Sequence, residues 1–168
     1  MAYGTTTDAQ AYWTARGYDG TPTDAGLEIA SAFVDGLGWR MAASGVPVSR
    51  FPGKPASAAQ EREWPRTGAA DFYGNDLPDD TVPGAIERAT YEAAWHESQN
   101  PGTLNLAIRS DERVVREKFG DIEFQYAESG TAGGGIAPTA PVIPAVLTIL
   151  APVLSGGSNP YGITGVVA

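Results

Sequence analysis

The sequence predicts a mainly α fold: a small helical bundle with long loops, a β-hairpin on the C-terminal side and an extended uncharged tail. Three observations carry this reading. Apolar residues recur at helical spacing in the first hundred positions. After Arg109 the period falls to two. All charged residues lie between Met1 and Glu128, so Ser129 to Ala168 hold no Asp, Glu, Lys or Arg. The chain divides into a helical domain over 1–126, with the hairpin near 114–126, and a Gly/Pro/Ala-rich tail over 127–168 with a short helix over 142–150.

Taken in order, Thr7 and Gln10 have the spacing of a capping box, and Gly17 ends the first helix. Ala9, Tyr12, Trp13 and Arg16 share one side of it. Thr23 or Asp24 opens a second helix, whose buried stripe is Leu27, Ala30, Phe33, Val34 and Leu37. Met41 to Pro55 holds two glycines and three prolines and reads as a loop. Ser57 and Gln60 repeat the capping-box spacing before a short helix ending at Trp64, because Pro65 disfavours helical geometry just before it. Thr67 to Asp80 reads as a second long loop. Thr81 caps the next helix, with Pro83 in its first turn. Ile86, Ala89, Thr90, Ala93 and Ala94 form its packed face, and Asn100, Pro101 and Gly102 stop it.

In the alternating region Gly120 and Asp121 suit a two-residue turn. Phe119 then faces Ile122, and Lys118 faces Glu123. Such a hairpin is marginal alone and needs a surface or another chain. The uncharged tail cannot stay solvated as disordered tails do, through charge. The expectation is that neighbouring subunits or a partner cover it, and that the body folds without it. Extended, its forty residues reach roughly 130 Å.

Composition narrows the function classes. The net charge is −9 and the sequence pI about 4.4, a surface that repels phosphate backbones at long range. With no cysteine, disulfides and thiolate metal sites are excluded. No secretory signal is visible. The most apolar stretch, Pro141 to Leu154, would span only ~21 Å as a helix and is interrupted by Pro144 and Pro152, so no membrane span is expected. His96, the only histidine, reads as a helix-surface pair with Glu92. Nothing completes a catalytic set, so no catalytic residue, metal or cofactor is expected. Asp76, Asp79 and Asp80 lack the calcium-loop pattern and read as a solvated acidic loop. Gly133-Gly134-Gly135 is not followed by Lys-Ser or Lys-Thr and is no phosphate loop.

Several blocks in order match a known group. They are Met1-Ala2-Tyr3-Gly4 with the helix to Gly17-Tyr18, Phe51-Pro52-Gly53, and Gln60 to Gly68 with its Trp64-Pro65-Arg66 core. Leu77 to Pro83, the helix Ala85 to Glu97, and Arg113 to Gly120 leading to Tyr126 continue the series. Over about three quarters of the chain it resembles the phage head–tail connector, or adaptor, proteins, within a subgroup often labelled DnaT-like and single-stranded-DNA-binding. The resemblance implies a non-enzymatic virion neck protein, assembled in the host cytoplasm as a dodecameric ring on the portal protein. It would link the portal to a downstream neck, stopper or tail protein, with double-stranded DNA passing through the lumen without specific binding. Under that reading the partner-binding residues are Arg66, Arg113, Arg116, Lys118, Phe119, Phe124 and Tyr126 of the body, and Ile143, Leu147, Leu150, Leu154 and Tyr161 of the tail.

Two of these regions have alternative readings. Trp64 is an interface anchor or a core residue ending a helix, and Arg66 reaches a partner carboxylate or nearby loop carbonyls. Arg109, Arg113, Arg116 and Lys118 form the most basic stretch, but Asp111, Glu112 and Glu117 reduce it to a local net of +1 (4 − 3). Phe119, Phe124 and Tyr126 share a face that should pack rather than stack on bases. The alternative function, a single-stranded-DNA-binding replication accessory, requires oligonucleotide binding that falls with salt.

Overall fold

Three helices with apolar stripes and one short apolar helix build the core. A computed structural model describes residues 1–42, 44–105, 116–119, 122–125 and 142–154. Among them lie α1 (Thr6–Arg16), α2 (Asp24–Leu37), α3 (Gly84–Gln99) and α4 (Pro144–Leu150). Three two-stranded antiparallel sheets accompany them: β1 (Trp39–Met41) with β2 (Pro47–Ser49), β3 (Lys54–Pro55) with β4 (Arg66–Thr67), and β5 (Arg116–Phe119) with β6 (Ile122–Gln125). Short 3-10 turns follow α3 at Thr103–Asn105 and α4 at Ala151–Val153. The mainly α class holds.

The helix ends follow local chemistry, shifted in places from the expectation. Thr5, not Thr7, caps α1: its Oγ accepts from the Asp8 amide at 3.1 Å. Gly17 ends α1 at φ +69°. Thr23 caps α2 through the Gly26 amide. α3 starts three residues beyond Thr81, with Pro83 at the cap position and no side-chain cap.

Between Ser57 and Trp64 the expected helix does not form. The Ser57 amide still bonds Gln60 Oε1 at 2.9 Å, but Gln60 Nε2 donates to the Arg62 and Pro65 carbonyls. Only Trp64 in this stretch is buried, so a helix here would have no apolar stripe to pack. Arg62 reaches across to α2, pairing with Glu28 and with Asp35 at 3.4 Å.

α3 is the central helix, packed on α1, α2 and α4. Its Ile86, Ala89, Thr90, Ala93 and Ala94 are buried, as the spacing predicts. So are Tyr91, Glu92 and Glu97. The Glu92 carboxylate accepts from Tyr12 at 3.1 Å and Tyr18 at 2.9 Å, with Arg16 3.9 Å away. It therefore ties α1 to α3 rather than serving as a surface partner of His96, whose ring meets Trp95 edge-on. Trp13 Nε1 adds a second tie, to the Tyr91 carbonyl at 2.8 Å.

α4 corrects the reading of the uncharged region. Ile143, Val146, Leu150 and Val153 are buried in the chain's own core, and Leu154 packs against it. The apolar face formed by Ile143, Val146, Leu150 and Val153 is thus covered by the chain's own core. The physical reason is the helical spacing of Ile143, Val146 and Leu150, which gives a short amphipathic face. The segments 126–141 and 155–168, including Tyr126 and Tyr161, lie outside the described residues.

β5 and β6 pair with Lys118 opposite Glu123 and Phe119 opposite Ile122, the register expected. The turn residues Gly120 and Asp121 lie outside the described residues.

One partly buried acid, Asp35, sets a pH prediction. Burial raises the Asp35 carboxyl above the usual aspartate range, against bonds from Tyr3, Glu63 and Arg62 that favour the charged form. A raised folded value contributes stability below the ordinary aspartate range of about 4, and that contribution is lost as pH rises through the folded value. Asp35→Asn should flatten the fall in melting temperature just above pH ~4. Melting curves across that window check it; an unchanged slope would refute the assignment to Asp35.

Candidate nucleic-acid interface

The region from Gly36 to Gln60, between Asp35 and Glu61, contains Arg40, Arg50 and Lys54 and no carboxylate. In a chain of net charge −9 this is a local inversion. It was missed by reading Met41 to Pro55 as a loop; the signal was the gap between successive acids. The stretch forms β1, β2 and β3. Trp39 pairs with Ser49, Arg40 with Val48 and Met41 with Pro47. The connection is closed by bonds from Ala42 N to Val46 O and from Gly45 N to Ala42 O, both 2.9 Å. Gly45 sits at φ +77°, where a side chain would be strained.

The ribbon is fixed at its base. Arg50 N donates to the Gly38 carbonyl at 2.6 Å, and its guanidinium reaches the Leu37 carbonyl at the end of α2 at 3.4 Å. The Phe51 ring lies against Gly38, where an added Cβ would stand 2.1 Å from a ring carbon. Phe51 is buried edge-on to Trp64, their ring centroids 5.6 Å apart.

On this base Trp39 stays 46% exposed and Val46 56%. Arg40 and Lys54 are exposed. Other cations are held by carboxylates: Arg16 by Glu92, Arg62 by Glu28 and Asp35, Arg66 by Glu63. Arg40 and Lys54 form no ion pair among the described residues. An exposed indole in the same acid-free stretch as exposed cations supplies the two groups a single strand uses, a stacking surface for a base and positive charge for its phosphates.

Arg66 is not a surface contact. It is 2% exposed. Its Nε donates to the Pro52 carbonyl at 2.7 Å, one Nη to the Gly53 carbonyl at 2.9 Å, and the other to Glu63 Oε2 at 2.7 Å. The loop-carbonyl alternative is the one observed, with Glu63 as an internal carboxylate. Trp64 is core, at 2% exposure. Of the basic stretch weighed from sequence, Arg116 and Lys118 lie on β5, while Arg109 and Arg113 fall outside the described residues. Phe119 is on β5 and Phe124 on β6. Leu147 on α4 is half-buried, beside the buried Ile143 and Leu150.

Phe72 and Tyr73 are more exposed aromatics, at 73% and 78%. Asp71, Asp76, Asp79 and Asp80 surround them in sequence, with no cation between Arg66 and Arg88. That charge disfavours a phosphate backbone at this loop. No helix among the described residues is long and apolar enough to cross a membrane.

Comparison with known families gives a match over residues 2–166 to the family described as "Putative DnaT-like ssDNA binding protein". No curated protein and no solved structure matches the chain. The match spans nearly the whole sequence, and the chain belongs to this family. The finding corrects the virion neck reading: the matched family is described by single-stranded DNA, and no comparison points to a portal, neck or tail protein.

Proposed function

We propose that this member of the DnaT-like family binds single-stranded DNA through the β1–β2 ribbon. Trp39 provides a stacking surface for a base, and Arg40 and Lys54 provide phosphate contacts. The observation that carries this reading is the half-exposed Trp39 in one carboxylate-free stretch with exposed Arg40 and Lys54, which form no ion pair among the described residues. The family description supports the same class of ligand.

The magnitudes set the expected behaviour. Stacking contributes ~1–3 kcal/mol per base. Each neutralised phosphate contributes about −0.7 to the salt slope on a single strand, so the two contacts of Arg40 and Lys54 give about −1.4. Few contacts and an overall acidic chain make the binding weak and visible first at low salt.

Polarisation of a labelled oligothymidine at low salt tests it. The intact chain should bind, and Trp39→Ala should weaken binding about tenfold or more, the equivalent of ~1.4 kcal/mol. Arg40→Ala and Lys54→Ala should each reduce the salt slope by about 0.7. No binding at low salt, or equal binding by Trp39→Ala, would overturn the assignment.

A further inference from the structure

Two stretches of this chain carry charge of one sign each, and the signs are opposite. Residues 36–60 hold three cations and no acid. Residues 67–87 hold Asp71, Asp76, Asp79, Asp80 and Glu87 and no cation. Each also presents apolar side chains to solvent: Trp39 and Val46 on the first, Phe72 and Tyr73 on the second.

The acidic loop is stiff. Asp71 Oδ1 accepts from the Tyr73 and Asn75 amides, and Oδ2 from the Asn75 side chain, all at 2.9 Å. Asp71 N donates back to the Asn75 carbonyl at 2.9 Å. Phe72 N donates to the Pro152 carbonyl at 2.7 Å, which ties the loop to the turn after α4. The bonds from Asn75 hold the Asp71 carboxyl below the usual range, so its charge persists. Two exposed rings on a backbone already fixed lose little conformational freedom when they dock. Phe72 and Tyr73 remain largely exposed.

We infer that the Phe72–Tyr73 loop of one copy docks on the Trp39 ribbon of a second copy, its aspartates facing Arg40 and Lys54. The occupant follows from complementarity: the cationic, apolar surface that fits this acidic, aromatic loop is present on every copy. The contact joins two different patches, so a pair keeps the ribbon of one copy and the loop of the other free for further copies. Self-association and strand binding then use the same ribbon and exclude each other there.

Sedimentation velocity without DNA, over a wide concentration range and two salt levels, reads the association. The intact chain should associate at low salt and dissociate as salt rises. Phe72→Ser/Tyr73→Ser and Trp39→Ser/Lys54→Glu should each raise the dissociation constant at least about tenfold. Mixed together, the two variants should form a species of two chains and no larger, since only one intact loop and one intact ribbon remain between them. Circular dichroism checks that both variants stay folded. An intact chain that stays monomeric at low salt, or folded variants that fail to pair when mixed, would overturn the proposal. Oligothymidine binding separates the two readings. The loop variant should bind it as the intact chain does, and a loss as large as that of Trp39→Ala would make the loop a strand platform instead.

Discussion

Leu150→Ala is expected to destabilise the protein by about 2–5 kcal/mol, the cost of a large-to-small change in a packed core. At this chain length that lowers the melting temperature by roughly 5–15 °C. Leu150 and Val146 are fully buried, and Ile143 and Val153 nearly so. Buried α3 residues include Ala89, Ala93 and Ala94, which are small, so apolar bulk must come from the helices that pack on it. Alanines at those positions have no long side chain to move into a cavity left on the facing helix. Val142→Ser is the control, because Val142 is 73% exposed one residue before the buried run. It should change stability by less than about 0.5 kcal/mol. Thermal melts followed by circular dichroism compare the two. Equal melting temperatures would return this segment to the role of an uncharged appendage awaiting a partner.

That contrast marks where sequence reasoning succeeds on this chain and where it stops. α2 and the buried face of α3 were legible because Leu27, Ala30, Phe33, Val34 and the Ile86–Ala94 set repeat at one helical period. The β5–β6 register followed from strict alternation about a Gly-Asp turn. The β1–β2 ribbon was hidden because its strands are three residues long and their pairing depends on tertiary ties. Arg50 reaching the end of α2 and Phe51 seated against Gly38 are contacts that no local pattern announces. The helix expected over Ser57 to Trp64 failed because capping chemistry alone does not stabilise a helix without a face to bury. The role of α4 was hidden by composition: a stretch without charge looks like a surface for another molecule until its core is visible. The candidate DNA site was legible in charge, as an acid-free gap between Asp35 and Glu61, but the exposure of Trp39 was not.

Arg66→Ala is expected to cost about 3–5 kcal/mol, because it empties a buried position and leaves the half-buried Glu63 carboxylate and two loop carbonyls without their donor. The guanidinium holds three separate groups in one plane: the Pro52 carbonyl, the Gly53 carbonyl and the Glu63 carboxylate. Arg66→Lys should recover little, since an ammonium cannot present that planar fork. Glu63→Gln/Arg66→Met removes both charges and should be less damaging than the sum of the two single changes, by about 0.5–3 kcal/mol. Chemical denaturation of the four proteins completes the cycle. The same arginine bears on the DNA ribbon. It fixes the Phe51-Pro52-Gly53 turn, where Gly53 takes φ +66° and a Cβ would stand 2.4 Å from the Thr67 carbonyl. Lys54 follows that turn directly and pairs with Thr67. Arg66→Lys should therefore weaken oligothymidine binding at temperatures where the helices remain folded, although Arg66 itself is buried and carries no charge to the surface. Binding measured well below the melting point, with helix content unchanged, isolates this positioning effect. If binding there matches that of the intact chain while stability falls, Arg66 supports the fold alone and Lys54 is held in place by β3–β4 pairing without it.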